Sequence, residues 1–162
     1  MNAFVVGVGA AVVLFLGGTG CQEPQAGGAR AGAASDPTAG APSFRRDVAP
    51  VLERSCAGAR GCHGAAPTDG VALDLRPGAA HGELVGKAAE MRRGSRRVEP
   101  GDPAASFLIA KVAGNVARGE GKAMPLDPNT GWPVHAGSPR ALDPAFVATV
   151  LTPWIKAGAP NN

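Results

Sequence analysis

Residues 56–64 read Cys56-Ala-Gly-Ala-Arg-Gly-Cys62-His63-Gly64, which places two thiols and an imidazole within eight residues. Two cysteines five residues apart can close a small loop as a disulfide, the ordinary fate of paired thiols in an oxidising compartment. Together with a neighbouring imidazole they can also hold a group bound in common. Which of these happens decides the fold, because the surrounding chain supplies little else to build a core.

Residues 43–162 carry only five aromatic side chains: Phe44, Phe107, Trp132, Phe146 and Trp154. The rest of this segment is rich in Gly, Ala and Pro, and burial of such residues contributes little free energy. Domains of this composition commonly depend on a disulfide, a metal or a large apolar cofactor.

Working outward from the cysteines, Ser43 precedes Phe44, Val48, Val51 and Leu52. This three-and-four spacing predicts a short amphipathic helix with Ser43 as N-cap, kinked or restarted at Pro50 and running toward Cys56. Residues 57–71 are mostly loop, and Leu73, Leu75, Leu84 and Val85 are scattered apolar anchors beyond them. Pro100-Gly101-Asp102-Pro103 predicts a turn, and Phe107, Leu108, Lys111 and Val112 a second helix.

Asp143 followed by Pro144 is a strong helix start, and Phe146, Val147, Val150, Leu151, Trp154 and Ile155 follow on one face. Pro153 should bend this helix and Gly158 end it. No stretch shows the two-residue period of a strand, and no internal repeat is present. The expected fold is all-α and small, with long loops.

The two ends read differently from the domain. Residues 3–16 are an unbroken apolar and glycine run, too short to span a bilayer and placed where an export signal stands. Small residues and Cys21 follow, as at the end of a bacterial lipoprotein signal. The expected division is a signal peptide over 1–20, a lipidated Cys21 with a flexible linker over 21–42, and a domain over 43–162. An ordinary cleaved signal with Cys21 incidental is the alternative, and export follows from either. Gln22 after the cysteine points to the outer membrane. Sixteen basic and thirteen acidic residues give a formal charge of +3. That mild excess suits an acidic protein partner, anionic lipid or a solvated surface, and is no sign of nucleic-acid binding in an exported protein.

The cysteine segment resembles the attachment site of c-type cytochromes, in which two cysteines form thioethers to the haem vinyl groups and the adjacent histidine is the proximal iron ligand. The resemblance implies that Cys56 and Cys62 bear the haem and that His63 binds iron. The family's usual spacing has two residues between the cysteines; the five here make a longer loop that Gly58 and Gly61 help to bulge outward. Met124-Pro125 stands where small c-type cytochromes present a distal methionine, which makes Met124 the implied sixth ligand. Phe44, Asp47-Val48, Pro50-Val51-Leu52, Arg97-Val98, Ser106 and Trp154-Ile155-Lys-Ala-Gly158-Ala159 also resemble cytochrome c-like domains of the planctomycete and myxobacterial lipoprotein kind. The match extends over nearly all of residues 43–160.

The resemblance implies one covalently attached haem c and an electron carrier, not an enzyme by itself. It would be held by a lipid anchor in the periplasm or at the outer membrane and would exchange electrons with a redox protein donor and acceptor. No Ser-His-Asp set, carboxylate pair or phosphate loop offers a catalytic alternative.

Two rivals stay open. One is a haem-free interaction lipoprotein that keeps the scaffold and closes Cys56 to Cys62 as a disulfide. The other is a copper carrier using Cys, His and Met, whose soft donors suit Cu(I). Met91, His81 and His135 are weaker candidates for the distal position, with surface exposure preferred for each. Arg92, Arg93, Arg96 and Arg97 form a basic cluster that suits haem propionates, an acidic partner or a solvated loop. Trp154 either packs on a porphyrin edge or fills core.

Overall fold

Ser43 starts the first helix as its side chain predicts. Its Oγ accepts the Arg46 N–H at 3.3 Å, and Asp47 Oδ2 accepts the Ser43 N–H at 2.8 Å, so the first turn is closed from both sides. The computed structural model describes residues 40–57, 62–65 and 72–162. The expected signal peptide, Cys21, all but the last residues of the linker, and the bulge between the cysteines lie outside the described residues.

Helix α1, residues 44–57, passes through Pro50 without breaking. Its first segment, Phe44–Val48, is wound more loosely than an α-helix, and the Ala49 N–H reaches back five residues to Phe44 O. The same device precedes Pro153 in the last helix, residues 144–156, where the Thr152 N–H bonds Val147 O across the loosened segment Val147–Leu151. A widened turn beside a proline absorbs the missing donor and relieves the clash with the carbonyl one turn back. Pro50 thus stands in the first turn of a restarted segment that runs on toward Cys56, one of the two outcomes expected there, and Pro153 likewise stands in the first turn of Thr152–Lys156.

Two short helices lie between, α2 at Ala80–Leu84 and α3 at Phe107–Ala113, and residues 144–156 form α4. Helix α2 falls in a stretch that reads as loop with apolar anchors; it forms because Ala80 and Leu84 are buried, which overrides Gly78 and Gly82 around them. Asp143 caps α4 by accepting the Ala145 N–H at 2.8 Å, with Pro144 in the first turn. Gly158, at φ +93°, ends it: Gly158 N–H bonds Ile155 O and Ala159 N–H bonds Trp154 O, the paired bonds of a glycine-stopped helix.

Among the described residues helices alternate with long loops, and there are only isolated β-bridges and no strand. Small and helical with long loops is therefore what is found. No described helix is long and apolar enough to cross a membrane.

Helices α1 and α4 pack together, and α4 also meets α3. Phe44, Val48 and Leu52 from one and Leu151, Trp154 and Ile155 from the other form the centre of the core, joined by Leu75, Leu84 and Val98. Trp154 is fully buried, its ring 5.3 Å from that of Phe44, and its indole N–H bonds Pro160 O at 2.9 Å. The chain end closes on the start of α1, with Asn162 O accepting from Arg45 N–H and Ser43 Oγ.

The turn at Pro100-Gly101-Asp102-Pro103 is tied to α4 by the Gly101 N–H, which bonds Ile155 O at 2.8 Å. Ser106, also buried, organises it: its hydroxyl donates to Asp102 O at 2.8 Å and accepts the Glu99 N–H at 2.9 Å. Ser106→Ala leaves that N–H without its partner, so a loss of about 1–3 kcal/mol is expected in urea unfolding. A change below about 0.3 kcal/mol would show that water takes over both bonds.

Candidate functional site

Helix α1 delivers Cys56 from its last turn, buried. His63 returns to that turn, its N–H bonding Cys56 O at 3.2 Å, while His63 O accepts the Leu75 N–H at 2.8 Å. The imidazole-bearing residue is thereby fixed between the end of α1 and the start of the next segment, at 7% exposure. Cys62 is half-buried, and both thiols are free.

Burial pushes the Cys56 thiol up to about 11, with the Arg140 guanidinium opposing the rise. At neutral pH Cys56 is therefore a protonated, sheltered thiol. Arg140 arrives from far along the chain and donates Nη2–H to Ser55 O at 3.3 Å.

An apolar cleft of about 120 Å³ opens beside these residues. Cys56, His63, Met124 and Met91 line it, together with Leu73, Leu75 and Leu84 and with Phe107, Leu108 and Val112 of α3. Glu90, Arg97 and Lys111 are its charged members. A smaller cleft of about 30 Å³ shares Cys56, His63 and Met124 and adds Cys62, Ser55 and Arg140. The three shared residues form the wall between the two.

Met124, 61 positions beyond His63 in the sequence, is thus brought to the same cleft as Cys56 and His63. Its N–H bonds Lys111 O at 2.9 Å, which ties the methionine loop to α3. Met91 lines the cleft while remaining 45% exposed. His81 does not reach the cleft: its Nε2 pairs with Ala159 O at 2.9 Å, and its ring stands edge-on to Phe44 at 5.0 Å. His135 is exposed and its Nδ1 sits 3.0 Å from Ala136 O. Trp154 lies in the α1–α4 core and is not part of the cleft lining.

The arginine cluster is largely spoken for. Arg97 donates to Glu83 and Glu90, Arg96 pairs with Glu99, and Arg92 grips Glu120 through two bonds of 2.7 Å. The Arg92 fork, helped by the Ala117 N–H, holds the Glu120 carboxyl down to about 2. Arg92 also lies 4.6 Å above the Phe107 ring.

Among the described residues no three of His, Cys, Asp and Glu are grouped to form a metal cage. The apolar cleft is lined by one imidazole, the Cys56 thiol and two thioethers, and Cys62 lines the smaller cleft next to it. That is consistent with a haem held by Cys56, Cys62, His63 and Met124. No family model, curated protein or solved structure matches this chain.

The resemblance picks out Cys56, His63 and Met124, but not the wall that α3 contributes. Phe107, Leu108 and Val112 read as ordinary core in sequence, and only their three-and-four spacing marks a face that needs a partner.

Proposed function

We propose that this chain is an exported, lipid-anchored electron carrier whose domain is of the cytochrome c kind and bears one covalent haem. Cys56 and Cys62 would form the thioethers, His63 would be the proximal ligand and Met124 the distal one. Bound there, haem supplies a one-electron couple. Electrons would pass from a redox protein donor to an acceptor at the outer membrane or in the periplasm.

The observation that carries this reading is the convergence of Cys56, His63 and Met124 on one apolar cleft. The residues of the chain have separable parts in it. Leu73, Leu75, Leu84, Leu108 and Val112 keep water away and lower the local dielectric. His63 is anchored through its backbone, which holds its main chain beside the cleft. The Met124 thioether favours the reduced metal. Arg97, Lys111 and Glu90 are the charged residues of the lining, with Arg97 paired to Glu90.

The gathering of Met91, Met124, His63 and Cys56 in one cleft also favours a second reading, a Cu(I) carrier with the same soft donors. A visible spectrum and a pyridine haemochrome assay separate the two, on the full chain exported in a host that matures c-type cytochromes. The expected result is covalent haem, one per chain, lost in Cys56→Ala and in Cys62→Ala. A colourless protein that loads copper supports the second reading. A colourless protein with Cys56 and Cys62 oxidised to each other, alongside a control cytochrome that matures, would falsify both.

A further inference from the structure

The segment that joins α3 to Met124 has no helix or strand of its own, and Gly114, Gly119 and Gly121 all stand at positive φ. Such a segment has many accessible shapes, so something outside it must choose the one that brings Met124 to the cleft.

Glu120 is where that choice is made. Its carboxylate accepts Arg92 Nε–H and Nη2–H at 2.7 Å each, in the two-pronged geometry that fixes direction as well as distance. It also accepts the Ala117 N–H at 2.8 Å, which folds the segment back on itself. The Glu120 carbonyl accepts Lys111 Nζ–H at 2.7 Å, and the same ammonium reaches Lys122 O at 2.9 Å. A Cβ built on Gly121 would come within 3.1 Å of Lys111 Nζ and 3.7 Å of Met91 Cε, so the two walls close tightly there.

Arg92 lies next to Met91, and Lys111 is the residue whose carbonyl holds the Met124 N–H. One ion pair therefore links the two loops that carry the cleft's thioethers. Both side chains are mostly buried, at 26% and 15% exposure, so solvent screens the pair only in part.

We propose that the Arg92–Glu120 pair is a positioning latch that sets how firmly Met124 occupies the sixth position on the haem iron. This rests on the haem reading above. Arg92 and Glu120 would touch neither haem nor iron; they act through the loop. Without the latch Met124 spends more time away from the iron, and an external ligand meets less competition.

The test is imidazole binding to the oxidised, haem-loaded full chain. Glu120→Gln keeps the shape and removes the charge; it is expected to bind imidazole about tenfold more tightly than the wild type, with haem content and far-ultraviolet circular dichroism unchanged. Arg92→Lys, which keeps the charge but loses the fork, should fall between. The exchanged pair Arg92→Glu with Glu120→Arg should recover part of the wild-type value, which a general loss of stability would not allow. Wild-type imidazole affinity in both Glu120→Gln and Arg92→Lys overturns the latch and leaves the haem reading standing. A wild-type chain without haem overturns both.

Discussion

Trp154→Ala is expected to lower the unfolding free energy by about 3–5 kcal/mol, the usual range for truncating a large aromatic residue in a packed core. A domain of this size commonly has about 5–15 kcal/mol in all, so the variant would be at the margin of folding. Trp154 is fully buried between α1 and α4, against Phe44 and His81, and its indole N–H is satisfied by Pro160 O. Truncation empties that space, and nothing nearby is large enough to fill it. It also frees Pro160, next to the Gly158 stop that ends α4. Trp132 is the internal control: it is 65% exposed and its main contact is Lys122 Nζ, 4.1 Å above the ring. Trp132→Ala should therefore cost no more than about 0.5–1 kcal/mol. Urea unfolding followed by circular dichroism gives both numbers. Equal losses at the two positions would mean that the α1–α4 contact is not the centre of the fold.

What could be read ahead of the structure is what depends on near neighbours. Ser43, Asp143 with Pro144, and Gly158 act within one helical turn of themselves, and each does what its chemistry predicts. Pro50 was legible as a point where the helix restarts, but the loosened turns that precede Pro50 and Pro153 were not, because they depend on how the whole helix is packed. Helix α2 was hidden for the same reason: Gly78 and Gly82 disguise five residues that fold only because Ala80 and Leu84 find a core to enter.

The candidate site divides along the same line. Cys56, Cys62 and His63 are visible because they lie within eight residues, and Met124 because Met124-Pro125 after a glycine-rich stretch is part of the resemblance. The pairs that shape the cleft are not visible, since Arg92 and Glu120 are 28 residues apart and Arg140 and Ser55 are 85 apart. No periodic pattern announces such a pair. In sequence, Arg92 looked like one member of a basic patch, and its charge was already committed to Glu120. His81 misled in the opposite sense: a histidine in a Gly-rich stretch suggests the surface, yet its ring packs on Phe44 and its Nε2 meets Ala159 O.

Met124→Ala is expected to shift the visible spectrum of the haem-loaded chain and to lower its midpoint potential. A thioether is a soft donor and binds ferrous iron in preference to ferric iron, so its removal takes away part of what stabilises the reduced form. If that preference is about tenfold or more, the potential falls by about 59 mV or more, since that is the value of a factor of ten for a one-electron couple. Met91 makes the measurement sharper, because it is the second thioether lining the same cleft and lies close to Gly121 on the Met124 loop. Met91→Ala should leave spectrum and potential nearly as they are if Met124 holds the sixth position. The reverse pattern, with Met124→Ala silent and Met91→Ala shifted, would move the ligand to the exposed loop and remove the reason for a latch at Glu120. Silence in both would mean that no thioether reaches the iron, leaving His63 as the sole protein ligand and the opposite face open to a small molecule.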